Sequence, residues 1–157
     1  VKIKLVKLKF DEYLSYKFKP FQYCCRTIQN NKTIIFTGED FVYDNFEQEA
    51  KYSDDPIPKF CTSYTETVGS WEDEWEQTYN YPIQFCPYCG KKIEISVVDE
   101  IDVSDKYNEL SKQRKELWEK CQRTDSKKKE YELEEQVRNL DNQINDFYEL
   151  SEWKGTY

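Results

Sequence analysis

At 157 residues the chain can hold one full core, or a small domain with an appended helical element, which excludes two large domains. Its hydrophobic content of 38% is low and its aromatic content of 17% is high, a balance that predicts a small aromatic-rich core of the kind that gains from a metal staple. The net charge of −8 disfavours broad binding to nucleic acid or anionic membrane, and the absence of histidine removes His-based catalysis and leaves thiolates and carboxylates as charged ligands.

Val1-Lys2-Ile3-Lys4-Leu5 alternates apolar and basic residues, and Val6-Lys7-Leu8-Lys9-Phe10 resumes the alternation one residue out of phase. The pattern predicts a β-strand with a bulge near Leu5-Val6. Thr33-Ile34-Ile35-Phe36-Thr37 is a second strand candidate ended by Gly38, and residues 44–59, with Asp54-Asp55-Pro56-Ile57-Pro58, read as a surface loop. Trp71 and Trp75, four apart among Glu72, Asp73, Glu74 and Glu76, fit one helical turn with an aromatic face. Tyr81-Pro82-Ile83-Gln84-Phe85 then enters a Cys-x-x-Cys turn, and Ile93, Ile95 and Val97 predict a returning strand.

From Asp105 to Trp153 there is no Gly or Pro, and apolar residues recur at spacings of three and four: Tyr107, Leu110, Leu117, Cys121, then Leu133, Val137, Leu140, Ile144 and Phe147. The two sets do not share a heptad phase, and Thr124, Asp125 and Ser126 are good N-cap types, so two antiparallel helices are expected over 105–122 and 126–152, with one continuous helix as the alternative. The expected fold is α+β: a small antiparallel zinc-ribbon-like β-domain over 1–101 with an acidic insertion at 39–80, then a helical hairpin or coiled coil over 102–157. The same tail stripe can serve self-association.

Six cysteines, at 24, 25, 61, 86, 89 and 121, are expected as metal ligands or free thiols in a reducing cytoplasm, because no membrane-span-length apolar run and no signal-peptide pattern is present. Cys86-Pro87-Tyr88-Cys89-Gly90 suits a metal knuckle. Two thiolates two residues apart can close on one tetrahedral ion, Pro restricts the turn, Gly tolerates positive φ, and turn N–H groups can donate to the sulfurs. The other half of the coordination must come from Cys24, Cys25, Cys61 or Cys121, and with no histidine a four-cysteine structural Zn2+ site is the leading reading. Cys121, on the apolar stripe of a helix, reads as a buried small hydrophobe.

Cys24-Cys25 together with Cys86-Pro87-Tyr88-Cys89-Gly90-Lys91-Lys92-Ile93 resembles small zinc-ribbon-like proteins of phages and low-GC Gram-positive bacteria, in which a vicinal Cys-Cys precedes a Cys-Pro-aromatic-Cys-Gly-Lys-Lys motif. The resemblance spans about residues 20–95 and implies Cys24, Cys25, Cys86 and Cys89 as the ligands, with Cys61 as an alternate to one of the vicinal pair. It implies no activity, and for a phage-encoded protein it implies the host cytoplasm. Cys-Pro-Tyr-Cys is also the glutaredoxin tetrad, but that chemistry needs a thiolate at a helix N-terminus, whereas Gly90 and the β-favouring residues after it predict a strand.

The charge is segregated: residues 1–38 carry +6, residues 39–80 carry −10 and residues 81–157 carry −4. No catalytic constellation or phosphate-cradling Gly-rich loop is present, so a non-enzymatic binding module is expected. Trp71, Glu72, Asp73, Glu74, Trp75 and Glu76 are the candidate partner surface, with aromatics as anchors and acids steering toward a basic protein. A basic nucleic-acid-binding host enzyme or defence complex, such as a CRISPR effector, has the groove that fits an acidic inhibitor, and no membrane partner is expected. The alternative is direct nucleic-acid binding by Lys2, Lys4, Lys7, Lys9, Lys17, Lys19, Arg26, Lys91 and Lys92 along one strand face, although lysines on an edge strand also guard against aggregation.

Overall fold

The computed structural model describes residues 1–37, 57–70 and 73–155. Expectations about Gly38, about residues 44–56 of the surface loop, and about Trp71 and Glu72 fall outside the described residues. The elements are β1 (Lys2–Phe10), β2 (Tyr13–Phe18), α1 (Arg26–Asn30), β3 (Ile34–Thr37), β4 (Lys59–Ser70), β5 (Asp73–Pro82), β6 (Glu94–Asp102), α2 (Ser104–Gln122), α3 (Lys127–Tyr148) and β7 (Ser151–Glu152). They form a four-stranded sheet of order β6-β1-β2-β7 and a three-stranded sheet of order β3-β4-β5, a mixed α+β architecture with the two long helices C-terminal.

The three-stranded sheet is antiparallel throughout. The four-stranded sheet is mixed, contrary to the antiparallel expectation. β2 pairs antiparallel with β1 and parallel with β7. The bonds from Glu94 N–H to Val1 C=O and from Val103 N–H to Lys9 C=O join start to start and end to end, so β6 runs parallel to β1. Local hairpin signals could not reveal this, because parallel neighbours are joined by long crossovers rather than by turns.

The phase change in β1 has a different origin from the expected bulge. Its ladder with β2 runs without interruption from Leu5 opposite Phe18 to Phe10 opposite Tyr13. Strand periodicity places Ile3 and Leu5 on one face and Val6, Leu8 and Phe10 on the other, and all five are fully buried. The strand changes which face it buries along its length, and a one-residue shift in the apolar pattern is how that reads in sequence.

The chain divides into two compact units, one of residues 1–4 and 19–96 and one of residues 5–18 and 97–157. In this grouping β2 and most of β1 fall with α2 and α3. In the second unit Val6, Leu8 and Phe10 pack with Val103, Leu110, Leu140 and Phe147, and Ile101, Tyr107, Leu117, Ile144 and Trp153 border this core. The helix stripe found by spacing is thus consumed within the fold. α2 and α3 are antiparallel: Tyr107 meets Tyr148 (2.6 Å between hydroxyls), Arg114 pairs with Asp141 at 2.8 Å, and the Cys121 thiol reaches the Glu130 carbonyl. The expected break at 123–126 is present, but α3 stops at Tyr148 rather than continuing to 152, and Ser151–Glu152 add β7 beside β2.

The first unit has an aromatic core, as composition predicted. Phe60 sits at ring-centroid distances of 5.3 Å from Phe36, 6.0 Å from Tyr23 and 6.1 Å from Phe21. Its most extended element is the β4–β5 hairpin, paired from Cys61 opposite Pro82 to Ser70 opposite Asp73. Of the helical turn expected around Trp71 and Trp75, the described part is strand instead, since β5 runs over Asp73–Pro82. Threonine, tyrosine and valine along Thr62–Val68 favour extended backbone, and cross-strand pairing outweighs the four-residue spacing of two tryptophans.

Candidate metal centre

Cys86 to Cys89 form a tight turn closed by backbone bonds. Cys86 N–H donates to Lys91 C=O, Gly90 N–H to Cys86 C=O and Ile93 N–H to Gln84 C=O, each at 2.9 Å, and Phe85 bridges Lys92 antiparallel. Gly90 has φ +69°, a left-handed conformation that glycine adopts without the Cβ penalty. The strand–turn–return reading holds for this single bridge only. The incoming β5 pairs with β4 and the outgoing β6 joins β1, so the two flanking strands belong to different sheets.

Cys24 and Cys25 arrive immediately before the short helix α1, Cys25 at its N-cap with extended backbone. The buried Ile28 anchors α1 in the fold, and beyond it Asn31 fixes the approach of this segment to the turn. Its side-chain oxygen accepts from Thr33 N–H at 2.8 Å and from the Thr33 hydroxyl at 2.6 Å, while its amide donates to the Tyr88 hydroxyl.

The result is one cluster. The Sγ atoms of Cys24, Cys25, Cys86 and Cys89 all lie within 4.8 Å of one another, and Cys25 and Cys86 are 3.7 Å apart. A tetrahedral ion with metal–sulfur bonds of about 2.3 Å sets its sulfurs about 3.8 Å apart, so the donor set and its spacing fit a four-thiolate metal ion. Cys86 is buried, Cys24 and Cys25 are half-buried and Cys89 is exposed. Cys61 is not one of the four. It is buried on β4, its thiol directed to the Lys59 carbonyl, and Cys121 is buried on α2 as its position in the stripe predicted.

The environment prepares the site for deprotonation. Burial opposes ionisation of Cys86, yet the N–H groups of Tyr88 and Cys89 and the thiols of Cys24 and Cys89 outweigh it and bring its pKa down to about 7. The turn N–H donors expected from the motif therefore act on the first cysteine of the knuckle. Cys24 is pushed up to about 12, by burial first and then by its contacts with Cys89 and Cys86. In the metal-free group Cys86 ionises early and Cys24 late, and a bound cation would favour the thiolate form of its ligands. The chain after Cys89 enters strand β6, so the knuckle has no following helix to lower a thiol pKa by its dipole.

Of the expected partner surface, Glu74, Trp75 and Glu76 are exposed on β5, and Trp75 is 56% exposed. The lysine row is not a row. Lys2 and Lys4 fall on one face of β1 and Lys7 and Lys9 on the other, and β1 lies between two strands rather than at an edge. Lys17 is fully buried. Its ammonium donates to the carbonyls of Asp146 and Glu149 and to Ser151 Oγ, and lies 3.6 Å from the Asp146 carboxylate. Sequence reasoning missed this capping role, since Lys17 alternates with apolar neighbours as the exposed lysines do.

No family model, no curated protein and no solved structure matches the chain. Among the described residues, no helix is long and apolar enough to cross a membrane.

Proposed function

We propose that Cys24, Cys25, Cys86 and Cys89 hold a structural zinc ion, and that the chain is a non-enzymatic, zinc-stabilised protein-binding module. The observation that carries this reading is the convergence of four thiols, from two segments some sixty residues apart, into a group whose sulfurs all lie within 4.8 Å of one another. Four thiolates complete the coordination of zinc and leave no open position for substrate, so the ion's contribution is stability. In this reading the early cysteines and the knuckle are stapled together in a zinc-ribbon-like arrangement, as the phage-type resemblance implies.

The partner side rests on charge and exposure. The hairpin β4–β5 presents Tyr64, Trp75 and Tyr81 to solvent together with Glu66, a combination that suits a basic protein surface such as the nucleic-acid groove of a host enzyme or defence complex. Burial of Lys17 and the division of the β1 lysines between two faces weigh against direct nucleic-acid binding. Consumption of the α2–α3 stripe by the core of its own unit weighs against a coiled-coil role.

Protein purified without chelator is expected to contain one zinc per chain by elemental analysis, and Cys24→Ser, Cys86→Ser or Cys89→Ser to lose it while Cys61→Ser and Cys121→Ser keep it. A folded protein with no stoichiometric metal would overturn the zinc reading. Affinity capture from the native host is expected to retain a basic protein in a salt-sensitive manner, and retention of nucleic acid alone would replace the protein partner with the alternative.

A further inference from the structure

The ribbon β4–β5 has two chemically distinct faces. Its register sets Thr62 opposite Tyr81, Tyr64 opposite Tyr79, Glu66 opposite Gln77 and Val68 opposite Trp75, and strand alternation puts these rows on one face. The intervening rows, Ser63 with Asn80, Thr65 with Thr78, Thr67 with Glu76 and Gly69 with Glu74, form the other. The carboxylates of Glu74 and Glu76 therefore point away from the aromatic side. One acid, Glu66, stands among the aromatics.

Tyr64 stacks on Tyr79 (centroids 5.0 Å, planes 18° apart) and on Tyr81 (5.9 Å, 5°), and the Tyr64 and Tyr81 hydroxyls are 3.5 Å apart. Tyr64 and Tyr81 nevertheless keep 46% and 41% of their surface in water. Stacked rings that pack on one another rather than into a core form a rigid platform whose ordering entropy is already lost before any partner arrives. The Glu66–Gln77 row separates this platform from Trp75, and rows on one strand face are about 7 Å apart.

We infer that this face is where the partner docks, and that it takes an arginine side chain of an extended basic segment at Glu66, between the tyrosine platform and Trp75. The inference deepens the protein-binding reading and rests on it. A guanidinium can lie against an aromatic face while its edge donates two hydrogen bonds to a carboxylate, and the sequence of rows here offers ring, carboxylate, ring along one strip. Charge complementarity selects the occupant: Glu66 is the one charged residue in the rows of this face from Thr62 opposite Tyr81 to Val68 opposite Trp75, and the basic residue of β4 and β5, Lys59, lies at the far end. A nucleic-acid strand would stack equally well on tyrosine, but its phosphates would face the Glu66 carboxylate.

The test titrates the zinc-loaded full chain with a short, unstructured, labelled arginine-containing peptide and with its citrulline and lysine counterparts. The citrulline peptide is expected to bind about tenfold or more weakly, with the lysine peptide between the two. Glu66→Gln and Trp75→Ala are each expected to lower affinity about fivefold or more, whereas Glu74→Gln on the reverse face leaves it unchanged. All three positions are exposed, and unaltered zinc content and thermal unfolding confirm that the variants are folded. Equal losses from Glu74→Gln and Glu66→Gln would reduce the effect to bulk charge and overturn the site. So would indifference to Trp75→Ala, no binding of the arginine peptide, tighter binding of a single-stranded oligonucleotide at these residues, or a self-association that Trp75→Ala abolishes. A host protein still captured by Glu66→Gln and Trp75→Ala chains would sink this site and leave the protein-binding reading standing. Loss of capture by the unaltered chain would sink both.

Discussion

Cys86 shows how a buried residue can be made ready for a cation. Two backbone N–H groups of its own turn offset the desolvation that would keep it a thiol. In the chelated protein, ultraviolet thiolate absorbance is expected to rise first with a midpoint near 7, and Cys86→Ser is expected to remove that step; a first midpoint near 9, the ordinary thiol value, would contradict it. A depressed thiol pKa means that the folded state binds fewer protons than the unfolded state between those two values. The Cys86 contribution to metal-free stability should therefore rise with pH from about 7 to 9 and be lost as pH falls through 7, while the raised Cys24 thiol acts in the opposite sense and removes stability from about pH 9 to 12. The adjoining Gly90 acts through its backbone alone. A Cβ at Gly90 would meet nothing within 4 Å, so Gly90→Ala tests the positive φ without a clash. It is expected to cost about 1 kcal/mol by denaturant unfolding, with Gly90→Asn costing less because asparagine tolerates the left-handed region. Equal costs for Ala and Asn would show that φ is not what the site requires.

At the scale of elements, the end of α3 is decided by a side chain more than a hundred residues away. The last carbonyls of a helix have no intrahelical donors, and the Lys17 ammonium supplies them to Asp146 and Glu149 while β7 joins β2. Burial pushes the Lys17 pKa down, and the Asp146 carboxylate and its hydrogen bond oppose that. Lys17→Met keeps much of the side-chain volume but removes the donor to the partly buried Asp146 and Glu149 carbonyls and the partner of the Asp146 carboxylate, and is expected to destabilise by about 2–4 kcal/mol in urea unfolding. A loss below about 1 kcal/mol would mean that water or Lys154 takes over the cap. The two long helices were legible from spacing because their stripe depends only on local periodicity, and the break at 123–126 from cap chemistry. The hairpin β4–β5 was not, because its strands are weakly alternating and partly acidic, and only their mutual register sorts the aromatics to one face.

For the whole molecule, the four-cysteine group belongs to the unit of residues 1–4 and 19–96, and α2 and α3 belong to the other. Chelation is expected to accelerate hydrogen exchange first at the N–H groups of Cys86, Gly90 and Ile93, whose acceptors all lie in the knuckle, while Leu110 and Leu140 amides stay protected by their own core. Simultaneous loss of protection in both sets would show that the ion stabilises more than its own unit. The Cys86–Cys89 knuckle could be picked out from residue types and spacing, whereas Cys24 and Cys25 as its partners are what the family resemblance implies. The choice between Cys61 and the vicinal cysteines could not be made from spacing.

The chain's own order of residues determined the Cys-x-x-Cys turn, the acidic middle and the amphipathic helices, because each is a property of near neighbours. Tertiary structure alone decided which four of six thiols meet, that Lys17 is a helix cap rather than a surface charge, and that Glu66 rather than Glu74 or Glu76 stands among the tyrosines. Those outcomes depend on strand register and on contacts across long loops, where a shift of one residue exchanges the faces and leaves the local pattern unchanged.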